Sequence, residues 1–228
     1  MAGSDTTPPR PAFLFAPGAG APSSSPWMRG WTARLATLGP VTTLDYPYTL
    51  AGRKAPDRQP ILEQAHLQAL RDARALRDAQ TLPGPGKPLP WFLAGKSLGG
   101  RIGCHAAVAA PELVRGVICF GYPLVAGGTG KVRDEVLLAL RVPALFLQGT
   151  RDPLCPIAAL RAVSARMTAP HDIVEIPGGN HSLELGRSAA KATAQAASDE
   201  RLLTEIRAFI ERCLRRALPA APPSPAVT

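Results

Sequence analysis

Six short apolar runs recur along the chain, alternating with stretches of helical spacing, and this alternation is what most limits the folds open to it. The runs are AFLF (12–15), VTTL (41–44), WFLAG (91–95), GVICFG (116–121), ALFLQG (144–149) and DIVEIPG (172–178). Runs this short and this apolar suit strands buried on both faces, the condition of a parallel sheet covered by helices. Between them, QPILEQAHLQALRDARALRDAQ (59–80) sets Leu62, Ala65, Ala69, Ala73 and Leu76 at steps of three and four, which predicts an amphipathic helix. GGRIGCHAAVAA (99–110) follows the third run directly, and its small residues suit a helix lying close on a sheet. Near the end, SDERLLTEIRAFIERCLRRAL (198–218) opens with a Ser-Asp-Glu cap signal and predicts a further helix. The Ala-rich stretch GRSAAKATAQAASDE (186–200) reads as loop or weak helix. Strand and helix patterns in this order predict an α/β fold with a mainly parallel central sheet of about six or seven strands and helices on both faces.

A chain of 228 residues holds one sizeable core but not two comfortable ones. The expected domain runs from 12 to 217, after a flexible segment 1–11 and before a disordered Pro-rich tail 218–228, with a loose Pro-rich stretch at 81–90. No run is long enough to cross a membrane, and the first, AFLFA, breaks off at Pro17, so a secretion signal is not expected and a cytoplasmic location is. Four cysteines at 104, 119, 155 and 213 show no C-x-x-C spacing, which predicts reduced thiols and no zinc. The formal net charge of +9 raises nucleic acid as a partner. Scattered arginines without interleaved aromatic residues argue against specific nucleic-acid binding.

The stretch WFLAGKSLGGRIG (91–103) spells two motifs at once. A phosphate-binding loop needs glycine five positions before Gly95, where Pro90 stands, and the intervening WFLA reads as strand. The other motif, G-x-S-x-G, requires a strand-to-helix turn in which glycines relieve crowding around a strained serine, and Gly95, Ser97 and Gly99 lie at such a turn.

Serine is a weak nucleophile at neutral pH and needs a histidine base, itself oriented by an acid. In this fold the chain order is Ser, then Asp or Glu, then His. Asp152 follows the run ALFLQG and His181 follows the last run, so Ser97, Asp152 and His181 all fall on loops at the carboxyl edge of the expected sheet. His66 sits mid-helix, His105 on the helix behind Ser97, and His171 at the far end of a strand. An oxyanion hole draws one NH from the residue after the nucleophile and one from the loop after the first strand, which points to Leu98 and, in APGAGAPSS, Ala19.

The segments PGAGAP, AGKSLGGR and GGNHSL, over about residues 12 to 185, resemble the α/β-hydrolase superfamily. They are most similar to its small dienelactone-hydrolase-like branch, with signatures HGAGAP, GGKSMGGR and GADHSL. That branch includes serine hydrolase-like proteins and a relative within a chromatin-modifying complex, for which a scaffolding role is one reading. The resemblance implies helices wrapped round a parallel sheet, hydrolysis through an acyl-enzyme and no cofactor. Pro17 stands where the branch carries histidine, and Ser97 where dienelactone hydrolases proper use cysteine. About twenty residues between GVICFG and ALFLQG leave no room for a substantial lid, so an open site is expected. The turn DYPYTLAGRKAPDR offers Tyr46 and Tyr48 as pocket walls and Arg53 and Lys54 as anion contacts. The reading is a serine hydrolase for a small ester or thioester; the alternative is a hydrolase-fold module that binds a protein partner without turnover.

Overall fold

The computed structural model describes residues 10–80, 89–186 and 188–216; most of the expected flexible ends and of the 81–90 stretch lies outside them. In chain order the elements are β1 (Ala12–Ala16), α1 (Pro26–Ala36), β2 (Val41–Thr43), α2 (Pro47–Leu50), α3 (Gln59–Gln80), β3 (Trp91–Lys96), α4 (Leu98–Ala109), β4 (Gly116–Phe120), α5 (Glu135–Ala139), β5 (Ala144–Gly149), α6 (Ile157–Ser164), β6 (His171–Ile176) and α7 (Ala189–Leu214). The six strands form one sheet in the order β2-β1-β3-β4-β5-β6, and every pairing is parallel.

Alternation along the strands divides the core in two. Leu14, Leu93, Val117 and Phe146 pack on one face with Leu62, Leu70, Ile102 and Leu160 from α3, α4 and α6. Phe13, Phe15, Phe92, Phe120 and Leu147 pack on the other with Met28 and Trp31 of α1 and Leu202, Ile206 and Phe209 of α7. Both faces are covered, which explains why β1, β3, β4 and β5 read as unbroken apolar runs rather than alternating ones. Strand β6, at the edge, is only partly buried until Ile176.

Of the two alternatives for 186–200, loop or weak helix, the helix holds from Ala189: α7 begins there, nine residues before the expected cap at Ser198, with the Ser188 hydroxyl accepting from the Lys191 NH. Alanine's helix propensity allows this, and two anchors hold the segment down. Gln195 accepts from the Leu185 NH at 2.8 Å and donates to the Leu183 carbonyl at 3.2 Å, while buried Asp199 pairs with Arg34 at 2.7 Å. Helix α1, unforeseen, starts on a proline at its first turn and buries Met28, Trp31 and Leu35 at steps of three and four.

Strand order reverses between β1, which leads outward to β2, and β3, which leads the other way through β4 to β6. The loops after β1 and β3 therefore diverge, and the gap between them is where open α/β sheets place ligands. Close approach fixes this corner. A Cβ on Gly99 would stand 2.6 Å from the Ala16 carbonyl carbon and 2.7 Å from the Pro17 oxygen. Neither atom can rotate away, so Gly99→Ala is expected to destabilise the fold by about 3 kcal/mol, read from urea unfolding midpoints. A change within about 0.5 kcal/mol would show that the end of β1 yields.

Candidate active site

Ser97 is the residue between β3 and α4, and its backbone is strained, with φ 48° and ψ −113°. Its NH donates to the Phe120 carbonyl of β4 at 3.0 Å, which holds the turn against the sheet. The position is the N-cap of α4, yet its hydroxyl does not cap the helix. Instead Ser97 Oγ lies 2.8 Å from His181 Nε2. His181 Nδ1 lies 2.7 Å from Asp152 Oδ2. Serine, histidine and aspartate, 84 and 29 residues apart in sequence, thus form one hydrogen-bonded line above the carboxyl ends of β3, β5 and β6.

Asp152 is 3% exposed and receives three donors. Gln148 Nε2 donates to Oδ2 at 2.6 Å, His181 reaches the same oxygen, and the Leu154 NH donates to Oδ1 at 2.9 Å. Burial alone would raise the carboxyl's pKa, but the bonds from His181, Gln148 and Leu154, with the His181 charge, outweigh it and hold the group below its ordinary 3.8. Because the folded value is depressed, ionised Asp152 stabilises the fold above pH 3.8, and that contribution is lost as pH falls through the folded value. An ionised carboxylate only accepts, so Nδ1 carries the imidazole proton and Nε2 is left to accept from the Ser97 hydroxyl.

Gln148 was not foreseen as a site residue. It is fully buried in β5, and its Oε1 accepts from the Tyr122 NH at 3.0 Å, so the amide is locked between β4's exit and the acid. The histidine loop rests on two glycines: a Cβ at Gly121 would overlap the His181 carbonyl, and one at Gly149 the Gly179 and Asn180 carbonyls. Asn180 Oδ1 accepts from the Ser182 and Glu184 NH groups at 2.7 and 3.0 Å, and Trp27 Nε1 donates to the Ser182 carbonyl at 2.9 Å. The imidazole is thus held by backbone fit on both sides.

Beside Ser97 opens a cleft of about 390 Å³, with Ala19, Leu98, Leu62 and Arg101 in its wall. Neither the Leu98 NH, at the free start of α4, nor the exposed Ala19 NH has an acceptor among the described residues. Both are backbone donors beside the serine, where the positive end of the helix dipole adds to them. The segment between β4 and β5 supplies the opposite wall through Pro123, Val125 and Arg133. A larger cavity of about 550 Å³ lies at the other end of the sheet, between Arg10, Leu38 and Ile210, away from the three residues.

Tyr46 and Tyr48 are not pocket walls. Both side chains are wholly buried, and Tyr46 Oη lies 3.1 Å from Nδ1 of the buried His66. The two rings pack in the core with Leu62 and Leu70 of α3, and it is Pro56 and Asp57, further along the same segment, that reach the cleft wall. Arg53 is paired with Asp57 at 2.7 Å, and Lys54 lies exposed outside the cleft.

An all-parallel sheet wrapped on both faces, with a strained serine at a strand-to-helix turn over its switch point, defines the α/β-hydrolase architecture. The chain belongs to that family: residues 9–211 match the model described as an alpha/beta hydrolase domain. Solved structures agree in fold. A dienelactone hydrolase from Anabaena variabilis is 22% identical, with 84% of this chain and 85% of that one covered and a TM-score of 0.61. An alpha-beta serine hydrolase homologue from Coxiella burnetii is 16% identical, covering 86% and 84%, with a TM-score of 0.62. A serine hydrolase without lid from Xanthomonas campestris is 18% identical, covering 96% and 87%, with a TM-score of 0.59. No helix among the described residues is long and apolar enough to cross a membrane.

Proposed function

We propose that this chain is a serine hydrolase of the small dienelactone-hydrolase-like branch, acting as one domain on a small ester or thioester through an acyl-enzyme. The observation that carries the reading is the line of short contacts from Ser97 Oγ through His181 to Asp152 at the mouth of the 390 Å³ cleft. In it, the Ser97 oxygen attacks the carbonyl carbon while its proton passes to His181 Nε2. The carbonyl π electrons move onto oxygen, and the resulting anion takes the free NH groups of Leu98 and Ala19. Asp152 steadies the imidazolium. Collapse of the intermediate breaks the bond to the alcohol or thiol, which leaves with the proton from His181. Water then enters, gives a proton to His181, attacks the acyl carbon, and releases the carboxylic acid with Ser97 restored. Dienelactone hydrolase and serine hydrolase neighbours support this class of chemistry, and the GKSLGGR and GAGAP motifs support the branch.

The test is covalent labelling with a fluorophosphonate, which loses fluoride to an activated serine. A single adduct mapped by peptide mass spectrometry to Ser97, together with turnover of short-chain 4-nitrophenyl esters, is the expected result. Absence of both would overturn the assignment.

A further inference from the structure

At the end of the sheet away from Ser97, the cavity of about 550 Å³ joins an apolar floor to a charged rim. Pro11, Leu38, Ile210 and Leu214 form the floor. Ile210 is buried, and Leu38 and Leu214 pack against the part of the core that the sheet shares with α1 and α7. The wall is held by backbone. A Cβ on Gly39 would overlap the Pro11 carbonyl oxygen, so the turn after α1 lies hard against the lead into β1. The NH groups of Leu38 and Gly39 both bond to the Leu35 carbonyl, at 2.9 and 3.2 Å, which fixes that turn. A preformed apolar hollow of this size with a few convergent polar groups is the usual form of a small-molecule site.

The rim sets three cations, Arg10, Arg207 and Arg215, against one acid, Glu211. All four side chains are exposed, and among the described residues none of them is in an ion pair, whereas Arg34, Arg53, Arg161, Arg166 and Arg212 each have an acid. Arg207, Glu211 and Arg215 follow at steps of four along one face of α7, so the acid can answer one neighbour and the rim keeps an excess of positive charge. The negative end of α7, which would oppose an anion here, is already met: Arg115 donates to the carbonyls of Cys213, Leu214 and Arg216. Thr37, in the same wall, donates its hydroxyl proton to the Arg34 carbonyl at 2.7 Å and offers none to a ligand. The charge complementary to this site is therefore negative. An apolar floor sunk behind guanidinium groups fits a molecule whose aliphatic chain ends in an anion, since the chain gains by leaving water and a guanidinium fork matches both oxygens of a carboxylate.

We propose that this cavity binds a medium-chain fatty acid, its chain on Leu38, Ile210 and Leu214 and its carboxylate among the arginines of the rim. The site is separate from the Ser97 cleft and does not depend on the serine-hydrolase reading.

Titration calorimetry of the full chain tests it with decanoate below its micelle concentration. Saturable binding is expected, about tenfold or more tighter than with butyrate, the gain from about two buried methylenes. Decyltrimethylammonium, with the same chain and the opposite charge, should bind about tenfold or more weakly than decanoate. Arg10→Gln and Arg207→Gln should each weaken decanoate by about threefold, and the double variant by about tenfold, because exposed ion pairs are modest and separate ones add. Methyl proton–carbon spectra of the wild type locate the ligand and stand even where a variant fails to fold. The Leu38 and Ile210 methyls should shift, and those of Leu62 and Val125 beside Ser97 should not. No saturable binding of decanoate, equal binding of the cationic amphiphile, or shifts confined to Leu62 and Val125 would overturn the proposal, and each of these would leave the chemistry at Ser97 where it stands.

Discussion

Replacing Ser97 with alanine is expected to lower kcat/KM on short 4-nitrophenyl esters by about 10⁴- to 10⁶-fold, with the fold intact. The size follows from what the hydroxyl does alone. It is the atom 2.8 Å from His181 Nε2, and in the proposed reaction no other group beside the cleft can form the acyl bond. Alanine keeps the Cβ, which lies beside Gly18 so closely that a Cβ on that glycine would stand 3.5 Å from it, and must accept the same strained φ of 48°, so packing at the turn does not change. The Ser97 NH bond to the Phe120 carbonyl is also retained, because it is a backbone contact. Thermal unfolding should therefore match wild type while turnover collapses to what the free NH groups of Leu98 and Ala19 provide by themselves. A variant that keeps more than a tenth of wild-type activity would mean that the chemistry happens elsewhere.

The strands were legible because their environment is extreme. Buried on both faces, β1, β3, β4 and β5 have no reason to carry polar residues, and the glycines after them mark where the chain leaves the sheet. The spacing of Ser97, Asp152 and His181 was legible for the same reason, since each follows a run that could only be a strand. Single residues were harder. Tyr46 and Tyr48 follow a short edge strand, and their depth depends on α3 closing over them. The available clue was His66, which shares a stripe with Leu62 and Leu70 at steps of four and is wholly buried. Gln148 was a signal overlooked: one amide at the end of an otherwise apolar central strand has to find partners, and it finds the Tyr122 NH and Asp152. Arg101 and Arg133 could not be paired from sequence, because 32 residues with the whole of β4 separate them, and only folding brings them to one cleft.

The locked amide of Gln148 makes the response to changing Asp152 unusual and testable. Asp152→Ala should cost about 10⁴-fold in kcat/KM, because His181 loses its partner and Gln148 Nε2 is left buried and unpaired. Asparagine offers one oxygen and one NH₂ group in place of two equal oxygens. The position of Oδ2 faces two donors, Gln148 and His181, whereas that of Oδ1 faces only the Leu154 NH. Gln148 cannot turn over to accommodate an NH₂, since its own oxygen is held by the Tyr122 NH at 3.0 Å. The amide oxygen of the introduced asparagine is therefore driven to the Oδ2 position, where it still accepts from Nδ1 and preserves the reactive tautomer. What remains lost is the charge that steadies the imidazolium, so Asp152→Asn should cost about 10²- to 10³-fold, at least tenfold less than alanine. Nitrogen-15 chemical shifts of His181 should report the proton on Nδ1 in both wild type and the asparagine variant. An asparagine variant as impaired as alanine, with the proton moved to Nε2, would show that Gln148 does not govern the acid.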